Sequence, residues 1–463
     1  MKPLLESSRR EWLLAAGAAS AAMLTRSVAA APAKARPRVA AVFTELRFRS
    51  HAYNILENFF QPYLFRGELV DPGCDVVSFY ADQFPKDDMA RGVSQRFKIP
   101  LYKTIDEALC VGGKSLAVDA VLLIGEHGDY PYNEMGQHLY PRKPFFDQCV
   151  RTMERAGRFV PLFNDKHLSY RWDWAREMFD TARAHKMPFQ AGSSVPLAQR
   201  LPGWELPAGA EIEEAVSIHG GGLESYDFHA FEVLQAIVES RRSGESGVKR
   251  IEFFEGDALE AAKKAGRWSV DLFDAAMQAE RDVAVSRQQR PSRSIRPNAI
   301  QGKDDPSKIK HAIAVEYRDG LRATVFAVGG APSHFSQPGG NSSRWNFACR
   351  LKGAAKPQAL AHFNGPWGNR CLFKALSHAI QHLFTTGQEP YPLERTLLTT
   401  GLTEAAVQAR HAKKAIDTPH LAIAYQVGDW QRFRENGASW QRLTAESPQP
   451  EEFEPGDAKL LQK

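Results

Sequence analysis

Between residues 38 and 195, short apolar runs alternate with amphipathic segments, and that alternation leaves few architectures open. Val39-Ala40-Ala41-Val42-Phe43 has the length and composition of a buried strand. Ser50 stands where it can cap a helix running to about Arg66, with Ile55, Leu56, Phe59 and Phe60 along one side. Residues 75–80 read as a strand, 87–97 as a helix and 118–124 as the most continuous buried strand. A helix at 145–156, a strand at 159–163, a helix at 172–185 and a strand at 189–192 complete the series. Strands spaced by helices in this way join through right-handed crossovers into a parallel, doubly wound sheet. Ligands of such sheets bind beyond the carboxyl ends of the strands. That rule selects the loops 44–50, 82–85, 125–132 and 164–169.

The pattern changes after Pro196. Strands are expected at 211–218, 248–254, 311–317, 322–328, 344–351 and 358–363, with helices at 228–242, 272–281, 372–384 and 393–411. His311, Ile313, Val315 and Tyr317 fall on one face of their strand, Ala312, Ala314 and Glu316 on the other. The fold class expected is α/β: a Rossmann-like doubly wound domain at 37–196, then an α+β domain at 197–430 with a largely antiparallel sheet and helices on one side of it. The polar stretch 287–306 reads as an exposed loop and a candidate arm for a homo-oligomer. The tail 431–463 is expected to be partly disordered.

Residues 1–36 read as an address. Arg9-Arg10 precedes an Ala-rich apolar run to about Leu24, and Arg26-Ser27-Val28-Ala29-Ala30-Ala31 offers small residues for cleavage. This resembles a twin-arginine export signal, and its apolar run is shorter than the ~20 residues of a membrane span. The expectation is a periplasmic or extracytoplasmic protein, delivered by the twin-arginine machinery, with no membrane span in its mature form. Of the formal net charge of +5, the segment 1–36 supplies +4, from six basic and two acidic side chains. The nearly neutral remainder gives no electrostatic footprint for nucleic acid. Five widely spaced cysteines without a C-x-x-C pair read as small buried hydrophobes.

Three stretches, with a late loop, carry a resemblance to a known family. They are Val118 through Gly128; Val160 through Lys166 with His167 following; and Glu224-Ser225-Tyr226-Asp227-Phe228-His229-Ala230-Phe231-Glu232. The late loop is Gly387-Gln388-Glu389-Pro390-Tyr391-Pro392. They resemble the fourth strand, the Glu-Lys-Pro strand end, the Asp-x-Gly-x-His helix start and the late loop of the Gfo/Idh/MocA oxidoreductases. The resemblance implies a two-domain oxidoreductase acting on a sugar or polyol with NAD or NADP, held tightly if the chain is exported. It implies Lys166 beside the reacting hydroxyl and His229 as general base, with Asp227 beside it. A histidine suits proton removal near neutrality, and a lysine stabilises charge developing on oxygen. Glu126 and His127 would lie over the nicotinamide.

The first loop, 44–50, departs from the family in having no glycine. Arg47 and Arg49 are candidates to pair with phosphate there, Ser50 marks a helix N-terminus that favours an anion, and Asp82 is a candidate for a ribose. Ser225 stands four residues before His229, where the family has Asp, and Asp227 replaces its Gly.

Candidate substrate contacts are Asp165, His167, Tyr226, Trp345 and Trp367, an aromatic and polar mix suited to a sugar. Glu126, His127, Asp165, His167, Asp227, His229 and Glu232 are also ligand-competent residue types. No compact motif such as H-E-x-x-H exists, so no metal ligand is assigned. Two other readings stand beside the oxidoreductase. One is a cofactor-free or metal-dependent lyase or hydrolase acting on glycosides in the same cleft. The other is a non-catalytic carbohydrate-binding protein.

Overall fold

Six parallel strands form the first sheet: β1 (Arg38–Phe43), β4 (Asp75–Ala81), β5 (Leu101–Tyr102), β6 (Ala120–Ile124), β7 (Leu162–Asp165) and β8 (Phe189–Gly192). Their order is β5-β4-β1-β6-β7-β8. Every residue of β6 is buried, as expected of a strand covered on both faces. This computed structural model describes residues 35–288, 308–329, 344–444, 447–449 and 453. The export signal expected at 1–36 lies outside them except for its last two residues. So do most of the 287–306 loop and 15 residues of the 431–463 tail.

The intervening helices are α1 (His51–Phe60), α2 (Ala90–Phe97), α3 (Ile105–Leu109), α4 (Arg142–Ala156) and α5 (Trp172–Ala184). The Ser50 side chain caps α1 by accepting the Tyr53 N–H, as the sequence predicts. The helix ends at Phe60, not near Arg66. Pro62 disfavours helical backbone at Gln61, which is extended at φ −149°. Residues beyond it form a small hairpin of β2 (Tyr63–Phe65) and β3 (Glu68–Val70), turned at Arg66 and Gly67, both at positive φ.

The second sheet is mixed and has eight strands, in the order β16-β11-β12-β13-β10-β14-β15-β9. They are β9 (Gln199–Leu201), β10 (Ile212–His219), β11 (Val248–Glu255), β12 (His311–Tyr317), β13 (Arg322–Ala327), β14 (Trp345–Leu351), β15 (Gln358–Phe363) and β16 (Ile416–Asp417). Only β10 and β13 pair parallel. One face, with Val216, Ile218, Ala312, Phe326 and Ala348, is covered by α7 (Gly256–Lys264) and α8 (Val270–Gln288). The other, with Ala215, Ile313, Val325 and Phe347, meets α6 (Ser225–Val238). Helices thus cover both faces, where the sequence led us to expect one.

The last helices, α9 (Asn369–Thr386) and α10 (Leu393–Ala412), return to the first sheet's layer. Helix α9 packs on α1 and α10 on α5, so the described residues from Pro37 onward hold together as one unit. The C-terminal tail is folded through residue 444, and Phe453 is buried among Tyr53, Phe60 and Phe97. All five cysteines are buried and none forms a disulfide. No helix among the described residues is long and apolar enough to cross a membrane.

Candidate active site

Four of the strained backbone positions lie in or beside the loops at the tips of the first sheet. Arg49, His127, Lys166 and Glu224 all have φ between 59° and 71°, a region non-glycine residues enter at a cost. Lys166 follows β7, and its carbonyl accepts the Gly192 N–H. Its ammonium donates to Glu126 Oε1 at 2.6 Å and to Ser225 Oγ at 2.8 Å. Arg142, first residue of α4, donates to the other oxygen of Glu126, and one of its guanidinium nitrogens lies 3.2 Å from His167 Nε2. A side chain at Gly125 would strike Arg142 at 2.8 Å, so this packing needs a glycine there. Burial alone would raise the Glu126 pKa, but Lys166 and Arg142 outweigh it and hold the carboxyl well below its ordinary range.

His229 lies one turn along α6 from Ser225, on the same side of the helix. Its Nδ1 is 2.6 Å from Ser193 Oγ, next to the Gly192 that pairs with Lys166. Burial, then the charge of Lys166, push the His229 pKa well below its usual value, so its ring is neutral. Tyr226 stacks on Trp345 at 5.4 Å, and Trp345 meets His229 edge-on at 5.3 Å. Lys166, His229, Glu126, Tyr226 and Trp345 therefore share one neighbourhood. His167 is buried there too, pushed down by burial and Arg142 and resting on Phe228.

Other expected residues are placed differently. Asp165 is engaged by His51 Nδ1 at 2.6 Å. Asp227 points away from Lys166 toward the second sheet, where His219 and His311 each bond its Oδ1 at 2.8 Å. Trp367 is a correction: it lies in a satellite core with Leu64, Cys371 and Leu443, its indole N–H donated to the Ser447 carbonyl. Its polar sequence neighbours, read as sugar contacts, instead surround a packing residue. Sequence reasoning missed His51, Arg142 and Ser193, which carry no motif; only the loop rule of parallel sheets could have drawn attention to their neighbourhood.

The crevice continues over β1 toward β4. Here Asp82 accepts hydroxyl protons from Tyr80 at 2.8 Å and Tyr130 at 2.6 Å. Gln83 and Asp129 exchange two further bonds, at 3.1 and 2.8 Å, so the loop after β6 is fastened to the loop after β4. Glu45 is buried and paired with Arg47. Ser50 Oγ takes the N–H groups of Tyr53 and Arg47. Arg49 is half-buried, and its Nη1 has no partner among the described residues. Burial, then the charge of Arg370, lower its pKa, so an anion beside it would be stabilised. His127 Nε2 is a second buried nitrogen without a partner, and burial and His51 push that ring down to about 3. Arg49 Nη1 and His127 Nε2 are the nitrogens left here for phosphate oxygens; Arg49 Nη2 is bonded to Gln449, and the buried Glu45 carboxylate in the same loop opposes an anion. A ribose at Asp82 requires the Tyr130 hydroxyl to leave.

No protein-family model matches the chain, and no curated protein sequence does. Among solved structures it is similar to GenD2 from gentamicin A biosynthesis, a complex with NAD, at TM-score 0.51 and 10% identity, covering 82% of this chain and 96% of that one. A probable dehydrogenase from Thermotoga maritima follows at TM-score 0.49 and 10% identity, covering 83% and 99%. A myo-inositol dehydrogenase from Corynebacterium glutamicum gives TM-score 0.48 and 10% identity, again covering 83% and 99%. The chain shares with GenD2 the fold of a parallel six-stranded sheet followed by a mixed, mostly antiparallel one.

Proposed function

We propose that the chain is an oxidoreductase that oxidises or reduces a sugar or polyol at a carbon bearing a hydroxyl, using a tightly held nicotinamide nucleotide. The observation that carries this reading is the Lys166–Ser225 bond at 2.8 Å, which brings the lysine within one helical turn of His229. Oxidising a secondary alcohol removes a hydride from carbon and a proton from oxygen. The nicotinamide, when bound, supplies the hydride acceptor. Lys166 is the donor to the reacting oxygen and stabilises negative charge there. His229 takes the proton, its ring held by Ser193. Glu126 and Arg142 hold Lys166 in place. Trp345 and Tyr226, stacked on each other, are the aromatic residues beside a sugar bound there. Arg49, His127 and the start of α1 are the groups that would meet the phosphates.

The test is oxidation of a panel of sugars and cyclitols, followed through the absorbance of the reduced nicotinamide. Turnover by wild type, with kcat lost in both Lys166→Ala and His229→Ala while each still binds ligand, supports the reading. Ligand binding without turnover in wild type would leave a carbohydrate-binding protein instead.

One observation favours the second reading. His51, on the first turn of α1, bonds the buried Asp165 at 2.6 Å, which is the arrangement of an oriented acid–base imidazole. A cofactor-free lyase or hydrolase would use that pair, and turnover of a glycoside by nucleotide-free protein would support it. Export rests on Arg9 and Arg10 and is likewise proposed. Cell fractionation of wild type and the Arg9→Lys, Arg10→Lys variant tests it, the variant being retained in the cytoplasm.

A further inference from the structure

We propose that His219, His311 and Asp227 form a binding site for a divalent transition-metal ion, with zinc as the cation their donors suit. The site lies on the second sheet. His219 ends β10 and His311 begins β12, and both pair with Ala327 of the intervening β13. Paired residues across a sheet project from the same face. The two imidazoles thus flank an alanine whose small side chain leaves the space between them open. Asp227, in the first turn of α6, enters from above. Its Oδ1 lies 2.8 Å from His219 Nε2 and 2.8 Å from His311 Nε2, and the three ligand atoms fall within 4.8 Å of one another. All three residues are buried.

Two nitrogens and one carboxylate oxygen facing a common point are a donor set used for zinc and for other first-row divalent ions. Asp227 has the outer support metal ligands generally need, because its second oxygen accepts the Glu224 N–H at 2.8 Å. The site also has a direction in which to bind more. Trp345 pairs with His219 across the strands, and its buried indole N–H has no acceptor among the described residues. A water on the metal would give it one.

Metal binding has a structural consequence at His219. Its Nδ1 now accepts the Gly221 N–H at 3.3 Å, which puts the ring proton on Nε2. A metal on Nε2 moves that proton to Nδ1, and the Gly221 peptide must turn away. Gly220-Gly221-Gly222 is the segment of this loop best able to do so. Without metal, the three side chains form a hydrogen-bonded triad with the proton on Nε2.

The experiment uses the purified full chain, stripped with a chelator and titrated with Zn2+ by calorimetry, with Co2+ as a visible-spectrum probe. The site predicts one zinc per chain, cobalt d–d bands that zinc abolishes, and a His219 ring-nitrogen NMR shift reporting the proton's move to Nδ1. His311→Gln keeps an N–H to bond Asp227 but is a poor ligand, so it retains the fold while weakening zinc binding about a hundredfold or more. His311→Ala serves as the second variant, each checked by circular dichroism. Wild type that takes up neither ion, or His311→Gln that binds zinc as tightly as wild type, overturns the proposal. Neither outcome depends on the oxidoreductase reading.

Discussion

The two halves of the crevice are built from opposite materials. Over β6 and β7, buried charges face one another: Lys166, Glu126 and Arg142, with His229 and His167 kept neutral beside them. Over β1 and β4, neutral hydroxyls and a side-chain amide fasten one loop to another across Asp82 and Gln83. The first half is pre-organised at the expense of desolvated charge. The second is closed by bonds that a ligand can replace one for one. In this account the reacting end is fixed before any ligand arrives, and the ribose end opens to admit it.

The largest effect expected in the charged half is on turnover. Lys166→Ala and His229→Ala should each lower kcat by about 10²–10⁴-fold, with smaller changes in ligand affinity. Comparable loss of ligand binding would show that they merely hold the substrate. Glu126→Gln leaves Lys166 and Arg142 facing a neutral amide inside the protein. It should cost about 3 kcal/mol or more in denaturant unfolding. An unchanged midpoint would show that the cluster is not a unit.

Glu224 gives a pH-dependent contrast at the border of this half. Burial raises its carboxyl to about 7, and its Oε1 has no partner among the described residues. A carboxyl raised in the folded state contributes no penalty below its unfolded pKa, and one that grows from there up to about pH 7 and is constant above it. Glu224→Gln should therefore match wild type in thermal stability near pH 4 and exceed it by about 2 kcal/mol at pH 8. A constant difference across that range contradicts the assignment. In the hydroxyl half the effect is smallest. Tyr130→Phe should cost about 1 kcal/mol of stability and bind nicotinamide nucleotide several-fold more tightly, because Asp82 Oδ2 is then released. Weaker nucleotide binding would mean that Tyr130 is itself a contact.

These differences follow from which contacts a sequence exposes. The wholly apolar β6 and the capping Ser50 act through neighbours a few residues away, and both are legible. So was the crevice, because the loop rule needs only strand order. The Tyr130–Asp82 bond joins residues 48 apart, and His311 reaches Asp227 across 84. No local pattern marks either. Lys166 and His229 were singled out through a resemblance, whereas Arg142 and His51 stand on helix starts that periodicity describes and chemistry does not. Trp367 shows the reverse error: polar neighbours in sequence suggested a binding wall, while burial against Leu64 and Leu443 made it core.

The most direct measurement is to denature the purified protein and assay the supernatant by absorbance and mass for nucleotide, then to titrate emptied protein with NAD and NADP. The account predicts a nicotinamide nucleotide released in near-equal ratio to protein, or saturable binding of one of the two that is weakened when Arg49 becomes alanine. Neither release nor binding would contradict it and leave the Lys166–His229 crevice without a hydride acceptor.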